Sequence, residues 1–275
     1  MEKRILTVQD ISCVGQCSLT VALPIISACG VETCVLPSAV LSTHTGGFSG
    51  YTFRDLTDDM PQIEAHWLKE NIKFDGLYTG YLGSAKQIDY VKSLFKTCLS
   101  PNAKKIVDPA MADNGKLYAG FDQAFVEKMK ELCKEADYLL PNLTEACFLL
   151  DEEYPEYYDE NYIDGLLERL SSLCSGTIIL TGIGYATEKT GVVVYEKSKK
   201  SYYEHAKISK GCHGTGDIYA SAFVGALLRG KTAFEAAKIA ADYTVLCILD
   251  TQNDPDHWYG ARFERVLPRL IERLQ

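Results

Sequence analysis

The chain has 275 residues, of which 47% are hydrophobic and 24% charged, and its formal net charge is −9. This length suits one large α/β domain spanning 1–275, because single hydrophobic cores stop growing at about 250–300 residues. The composition excludes disordered and fibrous classes of protein. The acidic balance offers no basic surface to nucleic acid, and no apolar run is long enough to cross a membrane, so we expect neither as a partner.

Ten cysteines are too few in a chain of this length to indicate a disulfide scaffold. No C-x-x-C pair is present, and the nearest pair, Cys13 and Cys17, has no histidine cluster beside it. We therefore expect reduced and mostly buried thiols in a cytoplasmic protein.

Short apolar runs rich in β-branched residues alternate with longer helical patterns along the chain. In chain order, the first half predicts a strand at 5–8, a helix at 18–29, strand 31–37, helix 61–71, strand 76–78, helix 85–95, strand 105–107 and helix 123–134. The second half predicts strand 138–140, helices 143–150 and 162–173, strand 177–181, a hairpin of 190–195 with 201–206, and helices 218–228, 233–249 and 262–274. Such alternation predicts a mostly parallel sheet with helices on both faces.

In a sheet of this kind, ligands bind beyond the carboxyl ends of the strands, so the loops there are the places to look for chemistry. Residues 211–217 read GCHGTGD and lead into an apolar helix. Gly214 and Gly216 favour a tight turn that exposes backbone N–H groups at a helix N-terminus, which is an anion site. Asp217 beside it suits a base that accepts the proton of an attacking hydroxyl in phosphoryl transfer. The alternative is that Asp217 only caps the helix; the two glycines and the apolar helix behind them favour function.

Two further loops carry acidic side chains directly after predicted strands. Asp108 follows strand 105–107 and precedes a proline, and Asp113 lies five residues on, so this loop suits Mg²⁺ with several bound waters. Asn142 and Glu145 follow strand 138–140 with the spacing of a capping box, and Glu145 would also reach the edge where Asp108 lies. A solvated polar turn and an ordinary helix cap are the plainer interpretations of these loops.

Three other features lie at predicted strand ends. The loop 42–51 is rich in glycine and hydroxyl groups and contains His44 and Thr45, a composition that suits a small polar ring or a mobile turn. Tyr81 offers an aromatic wall, and Asp10 is a carboxylate after the first strand. The chain lacks the P-loop pattern, the dinucleotide fingerprint and the G-x-S-x-G elbow, which argues against those three classes of enzyme.

Five segments of the chain resemble, in number, order and spacing, those of the ribokinase-like superfamily, and within it those of the pyridoxal kinases. These segments are STHTGG, LYTGYLGS, VDPAMADNGKLY, LLPNLTEACFLL and GTGDIYAS. The resemblance runs essentially end to end. It implies a three-layer α/β/α ribokinase-like fold with a mostly parallel central sheet, helices on both faces and a small hairpin. It also implies ATP-dependent phosphorylation of the 5′-hydroxymethyl group of vitamin B6 vitamers, and a homodimer.

By this resemblance Asp217 is the catalytic base, and Gly214, Thr215 and Gly216 form the anion hole around the transferred phosphoryl group. The remaining implied positions fall into two groups. The first group would bind Mg²⁺, the ATP phosphates and a monovalent cation, expected to be K⁺. It consists of Asp108, Glu145, Asn142, Asp113 and Thr181, of which Asp108 and Glu145 would contact the metal. Those around the pyridine ring are Asp10, Thr45, Tyr81 and, in the same loop as Thr45, His44.

One departure from the pattern concerns substrate choice. Better-known pyridoxal kinases usually have serine where this chain has Asp10, and a carboxylate there favours a protonated ring or a ring donor. The alternatives are a hydroxymethylpyrimidine kinase of thiamine synthesis, another ribokinase-like small-alcohol kinase, and a non-catalytic vitamer-binding protein. Asp217 argues against the last, because a pure anion binder gains nothing from a negative charge beside its pocket.

Overall fold

The structure is a computed structural model that describes residues 3–208, 211–254 and 256–275. The strands of these residues are β1 (Arg4–Val14), β2 (Glu32–Thr43), β3 (Phe53–Asp55), β4 (Phe74–Thr79), β5 (Leu99–Val107), β6 (Ala112–Asp113), β7 (Lys116–Leu117), β8 (Tyr138–Leu139), β9 (Thr177–Thr181), β10 (Lys189–Glu196) and β11 (Lys199–Ala206). The α-helices are α1 (Leu19–Ala28), α2 (Met60–Lys69), α3 (Ala85–Thr97), α4 (Gln123–Cys133), α5 (Leu143–Leu149), α6 (Glu160–Leu173), α7 (Thr215–Leu228), α8 (Ala233–Thr251) and α9 (Leu267–Leu274).

Nine of the strands form one sheet in the order β11-β10-β9-β8-β5-β4-β1-β2-β3. The neighbours from β9 through β8, β5, β4 and β1 to β2 are all parallel. Antiparallel partners occur only at the two sides, where β10 and β11 form the hairpin and β3 pairs with β2. The predicted mostly parallel sheet with a small hairpin is confirmed.

The helices cover both faces of the sheet with separate apolar cores. On one face α1, α7, α8 and α9 pack over a fully buried set that includes Ile25, Phe223 and Leu270. On the other face α2 to α6 pack over Leu77 and Val107 and their neighbours. The side chains of a strand alternate between faces, so one strand such as β4 contributes Leu77 to one core and Tyr78 to the other.

Two local features differ from the sequence-based expectation. The turn of the β10–β11 hairpin is two residues long, Lys197 and Ser198, both with positive φ as a type I′ turn requires. The predicted terminal helix 262–274 is instead a 3₁₀ turn, Glu264–Val266, followed by α9. Pro268 explains the division, because proline has no N–H and is tolerated only in the first turn of a helix.

The first two strands are much longer than their apolar runs. β1 and β2 stay paired as far as Val14 and Thr43, past a register shift between Gln9 and Ile11. Beyond the shift the pair projects from the carboxyl edge of the sheet, and β3 pairs with this extension at Ala39 to Leu41. As a result, polar residues that the sequence assigns to a loop lie on a strand. No helix in the described ranges is long and apolar enough to cross a membrane.

Candidate active site

The loop before α7 forms the anion site that the sequence predicts. Gly214 caps the helix with φ of 75°, and a Cβ there would overlap the backbone oxygen of Gln16, so only glycine fits. The first backbone N–H groups of any α-helix, here those of Thr215, Gly216 and Asp217, have no partner inside the helix, and the helix dipole adds positive charge. A Cβ on Gly216 would meet nothing within 4 Å, so the space over this helix end is open.

Asp217 is the third residue of α7, directly after Gly216, and is half-buried. Burial, opposed by a hydrogen bond from the backbone N–H of Ser18 and helped by the nearby charge of Asp10, raises the pKa of its carboxyl to about 7. General bases work best when their pKa lies near the working pH. Asp217 is therefore a carboxylate suited to take a proton at neutral pH.

Asp108 follows β5 at the same edge of the sheet. Its Oδ1 accepts a hydrogen bond from the backbone N–H of Ala110 at 3.1 Å. Burial and the charges of Glu145 and Asp217 raise the pKa of Asp108 well above its usual range. Asp108 therefore lies close to two other carboxylates that repel it, and a divalent cation would relieve this repulsion.

Glu145 and Asn142 form the capping box that the spacing predicts. The side-chain Oδ1 of Asn142 accepts the backbone N–H of Glu145, and Oε2 of Glu145 accepts the backbone N–H of Asn142, both at 2.9 Å. Glu145 also accepts the backbone N–H of Met111 at 3.1 Å and is hydrogen-bonded by that of Ala112. Burial raises the pKa of Glu145 to about 7, and these three backbone bonds oppose that rise.

The donor set fits a magnesium ion held mainly by Asp108. The described residues contain no group of three or more His, Cys, Asp or Glu side chains arranged around one metal position. The oxygens of Glu145 are occupied by backbone N–H groups, whereas Asp108 has one oxygen without such a bond. Mg²⁺ commonly uses one or two carboxylates with waters and substrate phosphates, so Asp108 with Glu145 behind it fits this ion.

Thr181 and Asp113 lie on either side of this group. Thr181 ends β9, donates its backbone N–H to the oxygen of Pro141 at 2.9 Å and forms a parallel bridge with Asn142. Asp113 is exposed, and both its carboxylate oxygens accept hydrogen bonds from Asn114 at 2.8 Å. The structure thus brings Thr181 next to Asn142 and leaves Asp113 at the rim.

Asp10 does not lie in a loop after the first strand, as the sequence suggests, but inside β1. The extended pairing of β1 with β2 explains the difference, since it continues to Val14. The Asp10 side chain is buried and its Oδ2 accepts the hydroxyl of Ser12 at 2.9 Å. Burial raises the pKa of Asp10, and hydrogen bonds from Ser18 and Ser12 oppose the rise. Its charge affects both Asp217 and Tyr81, so it lies near both and belongs to the site.

Tyr81 forms a wall beside Asp10. Its ring is half-buried and lies 5.4 Å from that of Phe121, centre to centre. Burial raises the pKa of the Tyr81 phenol to about 12, with a smaller contribution from Asp10. Tyr81 provides an aromatic surface and Asp10 a carboxylate, and a flat heterocycle with a hydrogen-bond donor on its ring needs both.

His44 is buried, and both its ring nitrogens have partners. Its Nδ1 accepts the backbone N–H of Gly46 at 3.1 Å, so its Nε2 donates to the oxygen of Tyr259 at 2.6 Å. Only the ring itself is left to contact a ligand. Thr45 is exposed in the following turn.

Two features of the site were not predicted from the sequence. Residues Asn114 and Gly115 have φ of 50° and 76° and join β6 to β7 as a two-residue type I′ turn, for which Asn-Gly is a strong sequence signal. This hairpin carries Tyr118 over the acidic residues, so that the charges of Glu145, Asp113, Asp108 and Asp217 add to burial in raising its pKa. No sequence signal marks Tyr118 itself.

A helix N-terminus open to an anion, a carboxyl with a pKa of about 7 beside it and a further carboxylate that suits a cation are together what phosphoryl transfer to an alcohol requires. Residues 22–260 match the family model described as phosphomethylpyrimidine kinase, and the chain belongs to this family. The predicted family and fold are thereby confirmed, and the chain is a kinase that transfers a phosphoryl group to an alcohol.

Solved structures and curated relatives agree with this assignment. A Bacteroides thetaiotaomicron protein described as a phosphomethylpyrimidine kinase, crystallised with pyridoxal, is 37% identical, with 98% of this chain and 96% of that chain covered and a TM-score of 0.92. Pyridoxal kinase from Lactobacillus plantarum is 29% identical over 98% of this chain and 97% of that chain, with a TM-score of 0.91. Pyridoxal kinase of Dictyostelium discoideum is 25% identical over 249 residues, 84% of this chain and 80% of that protein.

Proposed function

We propose that this kinase transfers the γ-phosphoryl group of ATP to the 5′-hydroxymethyl group of pyridoxal, pyridoxine or pyridoxamine, giving pyridoxal 5′-phosphate or its analogues. The observation that carries the proposal is the position of Asp217. Its carboxyl, with a pKa near 7, stands on the first turn of a helix whose open end offers backbone N–H groups to an anion. That combination serves an alcohol that loses its proton while it attacks phosphorus.

In this proposal each group has one task. Asp217 accepts the hydroxyl proton as the alcohol oxygen bonds to the γ-phosphorus and the bond from phosphorus to the ADP oxygen breaks. The N–H groups at 215–217 stabilise charge on the phosphoryl oxygens. Mg²⁺, when bound, would neutralise phosphate charge, and Asp108 would hold it, with Glu145 behind Asp108. It remains a prediction that the nucleotide is contacted by Asn142, Thr181 and Asp113. Binding of a K⁺ ion is likewise a prediction.

The residues expected around the acceptor favour an aromatic ring that carries a hydrogen-bond donor. Asp10 is a buried carboxylate with no cationic partner among the described residues, and Tyr81 lies next to it. A pyridine protonated on its ring nitrogen would supply the missing partner to Asp10. The pyridoxal in the 37% identical neighbour supports a B6 vitamer, while the family description keeps hydroxymethylpyrimidine as the second candidate.

The test is ADP release by the purified protein with ATP, Mg²⁺ and one acceptor at a time. We expect turnover with at least one B6 vitamer above that with hydroxymethylpyrimidine, ribose or a nucleoside. Turnover of the pyrimidine alone would favour the second candidate. Binding of pyridoxal without any acceptor-dependent ADP release would instead identify a binding protein.

Replacement of Asp10 tests how the acceptor is chosen. Asp10→Ser removes the carboxylate but leaves a hydroxyl, so we expect the ranking of the three vitamers by kcat/KM to change by about 10-fold, the scale of one charged hydrogen bond. KM for ATP should stay the same. An unchanged ranking would show that Asp10 does not contact the ring.

We also propose, from the family resemblance, a cytoplasmic homodimer. Light scattering of the purified protein at several concentrations would measure the oligomeric state, and a monomer at all of them would refute the dimer.

A further inference from the structure

A buried glutamine, Gln87, connects the loop that carries Tyr81 to β2 and to the segment between β3 and α2. Its side chain is fully buried in the first turn of α3. Its Oε1 accepts the backbone N–H of Gly83 at 2.7 Å, and Gly83 lies two residues after Tyr81. Its Nε2 donates to the backbone oxygen of Ser38 on β2 at 3.0 Å and to the Thr57 hydroxyl at 2.8 Å. One side chain therefore joins three separate segments of the chain.

Capping of α3 does not account for these bonds. The spacing of Ser84 and Gln87 is that of a capping box, in which the Gln87 side chain would accept the backbone N–H of Ser84. The Ser84 hydroxyl does accept the backbone N–H of Gln87 at 3.3 Å, but the Gln87 side chain binds Gly83 instead. An ionised glutamate could also accept the Gly83 N–H, but it could not donate to Ser38 and Thr57. The position therefore requires an amide.

The bonds of Gln87 and Ser38 hold the Tyr81 loop at two points. Gln87 binds the backbone of Gly83, and the Ser38 hydroxyl donates to the backbone oxygen of Tyr81 itself at 3.3 Å. A Cβ on Gly83 would lie 3.7 Å from Oε1 of Gln87 and 3.8 Å from Cε1 of Tyr81, so both side chains border this glycine. Because Gln87 also binds the backbone oxygen of Ser38, the loop and β2 are fixed relative to each other.

The part of β2 that Gln87 binds lies opposite Asp10. The register of β1 and β2 shifts here, so that residues 38 and 39 on β2 stand against Asp10 alone, which is a β-bulge. The charge of Asp10 also contributes, after burial, to the raised pKa of Tyr81, which agrees with this closeness. Gln87 therefore connects the two groups expected around the acceptor ring, the aromatic wall of Tyr81 and the carboxylate of Asp10.

We infer that Gln87 is a positioning residue for the acceptor: its amide holds the Tyr81 ring in place beside Asp10. Since Gln87 is fully buried, it acts on the acceptor only through the loop that it binds. Loss of its amide should therefore weaken binding of the acceptor and leave the nucleotide side unchanged. The inference rests on the proposed function, in which Tyr81 and Asp10 contact the acceptor ring.

The test compares Gln87→Met with the matched control Glu64→Met. Glu64 is buried on α2 and accepts the hydroxyls of Ser93 at 2.7 Å and Thr97 at 2.6 Å, in the second half of α3, so it also joins two elements. Both variants should lower the urea midpoint, because each leaves buried groups without a partner. For Gln87→Met we expect KM for pyridoxal to rise about 3- to 10-fold, the scale of one hydrogen bond, and KM for ATP to stay within about 2-fold. Glu64→Met should keep both KM values.

A wild-type KM for pyridoxal in folded Gln87→Met would overturn the inference, and so would an equal rise in the KM values for pyridoxal and ATP. If Gln87→Met does not fold, Ser38→Ala takes its place, because it removes only the hydroxyl bond to the Tyr81 backbone. We then expect KM for pyridoxal to rise about 2- to 5-fold, and an unchanged KM would contradict the inference.

Tyr81→Ala separates the inference from the proposed function. Tyr81→Ala alone should raise KM for pyridoxal, and adding Gln87→Met should raise it no further, because Gln87 acts through Tyr81. Additive effects of the two substitutions would overturn the inference alone and leave the acceptor site in place. A wild-type KM in Tyr81→Ala would refute both the place proposed for the acceptor ring and the role of Gln87.

Discussion

Asp217 and Glu145 occupy equivalent positions at two ends of the site. Each is the third residue of a helix that starts at the carboxyl edge of the sheet, Asp217 on α7 and Glu145 on α5. Burial raises the pKa of both carboxyl groups to about 7. By helix position and pKa alone, either residue would qualify as the general base.

Their hydrogen bonds distinguish them. Glu145 accepts backbone N–H groups from Asn142, Met111 and Ala112, so its oxygens fasten α5 to the loop after β5. Among the described residues Asp217 is hydrogen-bonded by the backbone N–H of Ser18, and it follows Gly216, over which the space is open. A raised pKa therefore does not identify the base; a free acceptor oxygen beside an anion site does.

The largest expected effect is on kcat. Asp217→Asn keeps the shape of the side chain but cannot accept the alcohol proton, so kcat should fall about 10²- to 10⁴-fold with KM for ATP largely kept. Steady-state kinetics with pyridoxal would measure this. Asp59→Asn is the control, because Asp59 is exposed at the start of α2 and its side chain makes no capping bond. Turnover of Asp217→Asn near the wild-type rate would remove Asp217 from the mechanism.

Substitution of the two glycines before Asp217 should affect stability at one position and activity at the other. Gly214→Ala places a Cβ on the oxygen of Gln16 at a positive φ, so we expect a loss of stability of more than about 2 kcal/mol. Gly216→Ala has open space and a helical position, so it should fold at least as stably as the wild type. Its methyl group would nevertheless crowd the anion site and reduce kcat/KM for ATP.

Urea unfolding and ATP kinetics on both glycine variants would check this. Full activity in Gly216→Ala would contradict an anion site at the start of α7. Normal stability in Gly214→Ala would contradict the turn geometry.

Glu145→Ala should mainly reduce stability. It leaves buried N–H groups of Asn142 and Met111 without acceptors, which costs about 2–3 kcal/mol. Glu235 forms the same capping box with Thr232 at the exposed start of α8, so Glu235→Ala should cost only about 0.5–1 kcal/mol. Urea midpoints measure both. Equal losses would show that the burial of Glu145 adds nothing to its cap.

The sequence predicted the elements and motifs that depend on neighbouring residues. The parallel strands show as apolar runs, the box of Asn142 and Glu145 as a spacing of three, and the helix end at Gly214 as a glycine pattern. Each signal is local because the physics behind it is local: side-chain burial, a capping hydrogen bond and backbone conformation.

Features that depend on distant contacts were not predictable. His44 is held by the oxygen of Tyr259, which lies 215 positions away in the chain. Asp10 belongs to a strand because β2 continues beside it, although the polar residues around it resemble a loop. Nothing in the sequence indicates that Tyr78 lies near Asp108 and Asp217. Such arrangements follow from how the elements pack together.

The smallest expected effect is the pH dependence of stability at Asp217. Its pKa rises from 3.8 to about 7 on folding, so between those values the folded state binds the proton more tightly than the unfolded state. Raising the pH through this range therefore destabilises the wild type through this group. Asp217→Asn lacks the ionisation, so its stability relative to the wild type should rise as the pH rises from about 4 to about 7 and then level off. Asp58 is the control with the opposite sign, because Lys86 lowers its pKa, so Asp58→Asn should show no such gain. Urea unfolding from about pH 5 to about pH 8 measures the difference, and a gain that does not grow with pH would mean that the Asp217 pKa is not raised by folding.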